Sequence, residues 1–288
     1  MKLLPCCERD NLVMSCDCID KRIAVSFSGG RSSAVMAAKI REAYPNHEIK
    51  FIFMNTGQEH PKTIEFVKKC DEYFKLDLIL LESVQREGRK SSGFRVVTYD
   101  TLSMHGQPFE AMIRKYGIPN LEFPHCTREL KENPFKNYLR SVGWYSYYTA
   151  LGIRADEPKR IKKRPNVIYP LNEWGLDKQD VLDFWKEMPF DLEIQEREGN
   201  CLWCWKKSLT KHVLNLKSNP EWYDFPEAME RDYALQRTDL KPEPRVFFRE
   251  HRSTAQMRKI AAMSGANDKM TNRPDEDAGC SESCEVFL

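Results

Sequence analysis

The stretch Cys201-Leu202-Trp203-Cys204 sets two thiols three positions apart, within reach of one ion or one cluster. Thiolates are soft ligands that select Zn2+ or iron–sulfur clusters rather than Mg2+ or Ca2+. Ten cysteines are many for 288 residues, and most are grouped: Cys6-Cys7, Cys16-x-Cys18, Cys201-x-x-Cys204 and Cys280-x3-Cys284, with Cys70 and Cys126 alone. In a reducing compartment such grouping points to metal or redox chemistry before disulfides. Three outcomes are open at the 201–204 pair: an iron–sulfur cluster, Zn2+, or reduced structural thiols. Trp203 and Trp205 either shield a cluster from water or pack a core. The N-terminal cysteines form a second metal site or belong to an uncommitted tail, and Cys70 reads as a helix residue without chemistry.

A second candidate is AVSFSGGRSSAVM, residues 24–36. An apolar strand runs through Ser28-Gly29-Gly30 into a helix-compatible run. Glycines let the backbone approach an anion closely, and a helix N-terminus offers N–H groups and partial positive charge. Arg31, Ser32 and Ser33 add side-chain donors. The alternative is a plain strand-to-helix turn. The stretch PKRIKKRP, residues 158–165, carries five basic residues in eight and reads as an anion clamp, an RNA-facing patch or a solvated loop.

Alternating elements must carry these residues. Strands are expected at 22–27, 49–54, 77–82 and 147–153, each short, apolar and rich in β-branched or aromatic residues. Helices are expected after the first strand, over 61–74 with Pro61 in the first turn, over 127–141, and over 177–188 capped by Asp177. Residues 86–107 are polar and turn-rich, an expected lid or insertion. This alternation predicts an α/β fold with a doubly wound, mainly parallel sheet, whose ligands bind at the carboxyl ends of the strands. The expected division is an N-terminal cysteine-containing tail (1–20), a nucleotide-binding domain (21–215) and a helical C-terminal extension with a cysteine-containing tail (216–288).

Lys and Arg number 45 against 43 Asp and Glu, a net charge of +2, so any anionic partner must be argued from local patches. No apolar run approaches the length of a transmembrane helix and no signal peptide is evident. The expectation is a cytoplasmic protein with no membrane partner.

SFSGGRSS resembles the pyrophosphate-binding loop, usually Ser-Gly-Gly-x-Asp-Ser, of the adenine nucleotide α-hydrolase (PP-loop) superfamily. FMNTGQEHPKTIEFV (53–67) resembles the second-strand motif of phosphoadenosine phosphosulfate (PAPS) reductases. HCTRELKENPF (125–135) resembles the Cys-Cys-x-x-Arg-Lys-x-x-Pro motif of the adenylyl-sulfate (APS) reductase branch. LGIRADEPKR (151–160) stands at the Gly-x-Arg segment, and VIYPLNEWGLDKQDVLDFW followed by GNCLWCWKKS keeps the order Pro-Leu, Trp, Asp-Val, Cys-x-x-Cys. Five motifs in order across roughly 24–208 identify the chain as resembling the PAPS/APS reductase family. FFREHRSTAQMRKIAAM (247–263) resembles a C-terminal helix of phage-encoded members.

The resemblance implies a bound adenine nucleotide (APS, PAPS or ATP, the last with Mg2+) contacted by Ser26, Ser28, Gly29, Gly30, Arg31, Ser32, Ser33, Asn55, Thr56, Gly57, Arg128, Arg154 and Arg160. It implies a [4Fe-4S] cluster on Cys126, Cys201 and Cys204. The fourth ligand is His125, which replaces the first cysteine of the adjacent pair, or Cys280, or Cys284, or none. Arg154 and Lys131 are the implied catalytic cations, and Cys280 or Cys284 takes the place of the attacking thiol by position. Three departures stand out: Ser32 replaces the loop Asp, Asn55 stands where many relatives carry Asp, and the chain ends GCSESCEVFL rather than in Glu-Cys-Gly-Leu-His.

The expected function is reductive sulfur chemistry on a sulfonucleotide, with thioredoxin or glutaredoxin as reductant. The alternatives are an ATP-dependent sulfur transferase acting on tRNA or DNA, and a non-catalytic nucleotide-binding regulator. His60 reads as a ligand contact or a helix-entry residue, and His105, His212 and His251 as structural.

Overall fold

The structure, a computed structural model, describes residues 22–88, 91–236 and 243–264. Its first element is also its most buried: β1 (Arg22–Phe27) shows only its first residue partly to solvent. A strand covered on both faces is the signature of the middle of a parallel sheet. The chain continues through α1 (Arg31–Ala43), β2 (Glu48–Asn55), α2 (Pro61–Phe74), β3 (Ile79–Val84), β4 (Gly93–Val97) and α3 (Gln107–Tyr116). It then runs through α4 (Asn133–Ser141), β5 (Tyr148–Ala150), β6 (Val167–Ile168), α5 (Pro170–Glu173), α6 (Lys178–Lys186), α7 (Leu209–Ser218), α8 (Asp224–Tyr233) and α9 (Thr254–Met263).

Six strands lie in the order β4-β3-β2-β1-β5-β6, all parallel except β4, which runs antiparallel to β3. The pleat of β1 and β2 sorts the core. Ile23, Val25, Phe27, Phe51 and Phe53 pack under α1, α2 and α6, through Val35, Ile40, Phe66, Val181 and Trp185. Ala24, Ile52 and Met54 face Phe135 and Leu139 of α4 and Trp144. Helices cover both faces, so the doubly wound α/β expectation holds. The chain leaves β1 toward β2 on one side and later returns to β5 on the other. That reversal opens a crevice at the carboxyl ends of β1 and β5.

Boundaries differ from expectation where backbone geometry overrides composition. Asp77 adopts a left-handed φ of 54°, which a strand cannot include, so the strand expected at 77–82 begins at Ile79. Only Tyr148–Ala150 of the 147–153 run pairs as a strand. The expected lid at 86–107 contains β4, an edge strand with register Leu80↔Val97, so part of it belongs to the sheet. The α6 helix is capped by Asp177 as expected, in a reciprocal pair with Asp180.

A second apolar cluster joins α3, Leu130, the 201–205 segment and α7–α9, through Phe109, Met112, Trp203, Val213, Tyr223 and Phe247. His212 is buried in it, with Nδ1 2.7 Å from the Tyr223 hydroxyl. Burial, reinforced by the charges of Lys207 and Arg249, pushes its pKa from 6.5 down to about 3. The unfolded chain therefore binds a proton near pH 6.5 that the folded chain refuses. The resulting stability is fully present above pH 6.5 and falls by about 1.4 kcal/mol per unit of acidification below it. Denaturant midpoints measured from pH 7 to pH 4 should fall accordingly (about 2.5 units' worth at most), and His212→Gln, which cannot titrate, should flatten the decline.

Candidate functional site: a nucleotide cleft abutting a three-cysteine cavity

The crevice at the end of β1 is a cleft of about 320 Å3. Ser28, Gly29, Gly30, Arg31, Ser32 and Ser33 form one wall, and Gly152, Arg154, Glu157 and Arg160 another. Gly29 has φ +79°, and a Cβ there would come within 2.9 Å of Thr63 Cγ2, so conformation and space both require glycine. Gly30 differs. Its φ of −96° and ψ of 161° suit any residue, and a Cβ would meet only Ser28 Oγ at 3.8 Å. What a side chain at Gly30 would occupy is the cleft. Gly30 is the N-cap of α1, and no side chain caps that helix, so its first turn presents N–H groups to an anion. Ser33 holds the loop's shape: its Oγ donates to Gly30 O at 2.9 Å and accepts from Ser28 N at 3.2 Å. Across the crevice, a Cβ at Gly152 would lie 2.9 Å from Ser33 Cα, so the end of β5 presses directly on the first turn of α1.

The three cleft arginines are held by carboxylates. Arg31 forks onto Asp191 at 2.6 and 2.9 Å, tying the start of α1 to a loop far along the chain. Arg154 donates to Asp156 at 2.9 Å and to Ser32 Oγ at 3.2 Å, and Arg160 pairs with Glu157. Fixed guanidiniums lose little rotamer freedom when they meet a phosphate.

Beside the cleft lies a second, mostly apolar cavity of about 20 Å3, lined by Cys126, Cys201, Cys204, Trp203, Trp205, Phe109, Leu130, Thr56, Thr127 and Lys131. All three cysteines are buried and reduced. Thr56 Oγ1 lies 3.5 Å from Cys201 Sγ. Trp205 Nε1 and Thr127 Oγ1 are buried without a hydrogen-bond partner among the described residues, and both residues line this apolar space beside the three cysteines. Also among the described residues, no three His, Cys or acidic side chains gather as ligands of one metal ion. A cluster makes a different demand, because each thiolate binds its own iron and donors near the sulfurs tune the potential. The donor set of three thiols with Trp205 and Thr127 fits such a group in kind.

Lys131 lines both spaces. It stands on a helix that continues into α4 and whose Arg128–Glu132 stretch is a π turn, closed by Asn133 N donating to Arg128 O. Between Cys126 and Pro134 this chain has one residue more than the Cys-Cys-x-x-Arg-Lys-x-x-Pro pattern. A π turn absorbs one extra residue and keeps positions five apart on one face; Cys126 and Lys131 are five apart. Glu129 anchors the turn, accepting from Ser92 Oγ (2.6 Å), Ser92 N (3.1 Å), Arg128 Nε (2.8 Å) and Asn133 Nδ2 (3.0 Å). Despite its burial, these bonds hold its carboxyl below the usual range.

Not every expected residue reaches the two spaces. Ser26 and Asn55 are buried behind the site. Asn55 donates to Glu82 and Ser103 O, and its Oδ1 accepts from Gly57 N, so it shapes the turn that carries Thr56. Arg128 is exposed and paired with Glu129, outside both linings. His125 is not among the residues lining the cysteine cavity; its Nε2 sits 3.1 Å from Gly117 O, and burial lowers its pKa to about 4. His60 caps α2 through Lys62 N at 3.0 Å, the helix-entry role. Cys280 and Cys284, like Cys6, Cys7, Cys16 and Cys18, lie outside the described residues.

The sequence reading missed Glu59. Its buried carboxylate accepts from Thr56 Oγ1 at 2.8 Å, lines the cleft, and is bridged through its backbone to Cys201. Burial pushes its carboxyl above the usual range, against the pull of Lys131 and of the Thr56 donors. Lys207 was also missed: buried, it donates to Cys201 O at 3.0 Å and Leu202 O at 2.9 Å, fixing the cysteine loop. Neither residue carries a local signal beyond its charge.

A Ser-Gly-Gly loop that opens a helix at the switch point of a doubly wound sheet has the form of a nucleotide-binding α/β protein. The chain belongs to the phosphoadenosine phosphosulfate reductase domain family, whose model matches residues 22–174. It is 33% identical over 277 residues to the uncharacterised nin region protein ORF290 of Escherichia phage lambda, covering 91% of this chain and 94% of that protein. It is also 30% identical over 142 residues to an uncharacterised protein of Methanocaldococcus jannaschii, covering 49% of this chain and 28% of that protein. A second protein of that organism is 24% identical over 230 residues, covering 75% of this chain and 43% of its own length. No helix among the described residues is long and apolar enough to cross a membrane.

Proposed function

We propose that the chain is a sulfonucleotide reductase. In this reading it binds APS or PAPS in the cleft and sets the sulfuryl group beside the three-cysteine cavity. The observation that carries it is Lys131, which lines both spaces. The first turn of α1 and Arg154 hold the phosphate, and Arg160 extends the cationic wall. Lys131 stabilises charge on the group that crosses from cleft to cavity.

In the reaction, a cysteine thiolate forms an S–S bond to the sulfuryl sulfur as the S–O bond to the nucleotide phosphate breaks, and the nucleoside phosphate leaves. A dithiol such as thioredoxin or glutaredoxin then supplies two electrons. Sulfite departs, the enzyme thiol is regenerated and the dithiol becomes a disulfide. Cys280 and Cys284 are the proposed attacking thiols. Cys126, Cys201 and Cys204 would hold a [4Fe-4S] cluster, which supplies positive charge and electronic polarisation next to the sulfuryl group.

A second reading, ATP-dependent sulfur transfer to tRNA or DNA, is favoured by one observation. Three thiols line the cavity and His125 does not, which would leave one coordination position for a sulfur ligand.

Metal analysis of protein purified without oxygen tests the cluster. About four irons and matching labile sulfide per chain, with broad absorption near 400 nm, are expected for a thiolate-bound cluster. Cys126→Ser and Cys201→Ser should each lose the iron. Zinc, or no metal in the wild-type protein, would contradict the assignment.

A further inference from the structure

Among the described residues, many surface cations are paired. Arg22 meets Glu48, Lys62 meets Glu193 at 3.1 Å, Lys69 meets Glu65 at 2.7 Å and Lys186 meets Asp183 at 2.6 Å. Residues 158–166 break that pattern. Lys159, Lys162, Lys163 and Arg164 are exposed, and none of their side chains has an ion pair or hydrogen bond among the described residues. With 45 basic and 43 acidic residues in the chain, this concentration is not the overflow of a basic protein.

The loop is also held in place. Arg160 is buried and paired with Glu157 at the cleft wall. The Tyr169 hydroxyl donates to Lys162 O at 2.8 Å and accepts from Lys162 N at 3.2 Å. Asn166 takes a left-handed φ of 57°, and its carbonyl accepts from Thr149 N at 2.8 Å. Like charges on a fixed loop repel one another, and a polyanion relieves that repulsion while releasing its counterions.

We propose that residues 158–166 dock the backbone phosphates of a nucleic-acid strand along the β6 edge of the sheet. The strand would run toward the mouth of the nucleotide cleft, because the same loop carries Arg160 into that cleft. Ile161 is partly buried against the small apolar cluster of Leu151, Ile153 and Tyr169, and the loop exposes no large apolar side chain to insert into a bilayer. This surface stands apart from the sulfur chemistry proposed above and does not require it.

The test is fluorescence polarisation of the full chain with a short labelled single-stranded RNA, the DNA of the same sequence, and the duplex. Wild-type protein should bind at low salt, with log affinity falling linearly as log salt rises. The slope should be about 0.7 per phosphate contacted on a single strand. The triple variant Lys162→Glu, Lys163→Glu, Arg164→Glu should bind at least about tenfold more weakly, its salt slope reduced by about 2. Its thermal midpoint and its nucleotide affinity in the cleft should be unchanged. Lys186→Glu, at a paired site, should leave binding intact. Unchanged affinity and slope in the triple variant, no wild-type binding to any of the three probes, or equal competition by polyglutamate would each overturn the proposal. Preference among the three probes identifies the strand that fits.

Discussion

Gly30→Val should abolish nucleotide binding and leave the protein folded. The backbone at Gly30 already has the extended geometry that valine prefers, and its Cβ would meet only Ser28 Oγ at 3.8 Å. Folding therefore loses little, and conformational entropy of the unfolded chain is even reduced. The valine methyl groups, however, would fill the space before the first turn of α1, where a phosphate must sit within hydrogen-bond distance of the backbone. The expected loss of affinity for ATP, APS or PAPS is at least about 100-fold, or roughly 2.7 kcal/mol. Calorimetry measures it, and circular dichroism with thermal unfolding confirms the fold. Wild-type affinity in a folded variant would move the nucleotide site away from this loop.

Lys131→Met carries the second large effect. It should lower turnover of the sulfonucleotide by about 100- to 1000-fold, the range found when one preorganised donor to a developing charge is removed. The ammonium has a second duty, since the buried Glu59 carboxylate lies within its field. Glu59 is buried while Lys131 is partly exposed, and removing this nearby cation leaves a buried carboxyl less compensated, so Lys131→Met should also lower stability. The double variant Lys131→Met, Glu59→Gln separates the two roles: stability should return while turnover does not. Recovery of turnover in the double variant would make Lys131 a structural cation. Anaerobic assays of sulfite release, with parallel denaturation curves, decide between them.

Local signals made most of the frame legible. Ser28-Gly29-Gly30 between a strand and a helix, Pro61 opening α2 and Asp177 capping α6 are each properties of a few adjacent residues, and each stands where expected. Long-range partners were not legible. Nothing near Arg31 signals that Asp191, 160 residues away, takes its guanidinium. Glu59 reads as a charged residue before a helix until the fold buries it between Thr56 and the cysteine loop. The π turn was half legible, because the extra residue before Pro134 is countable, but only the Glu129 anchors show where the helix absorbs it. His125 was placed only by the fold: its position at the first cysteine of the family's adjacent pair suggested a cluster ligand, and the structure sets its Nε2 3.1 Å from Gly117 O, with the residue outside the cavity lining.

The claim that cleft and cysteine cavity act as one site is tested most directly by incubating anaerobically purified protein with APS or PAPS and a dithiol. The account predicts sulfite and nucleoside phosphate in equal amounts, lost together in Lys131→Met. Absence of sulfite, with ATP-dependent release of pyrophosphate instead, would contradict sulfonucleotide reduction and assign the cleft to adenylation.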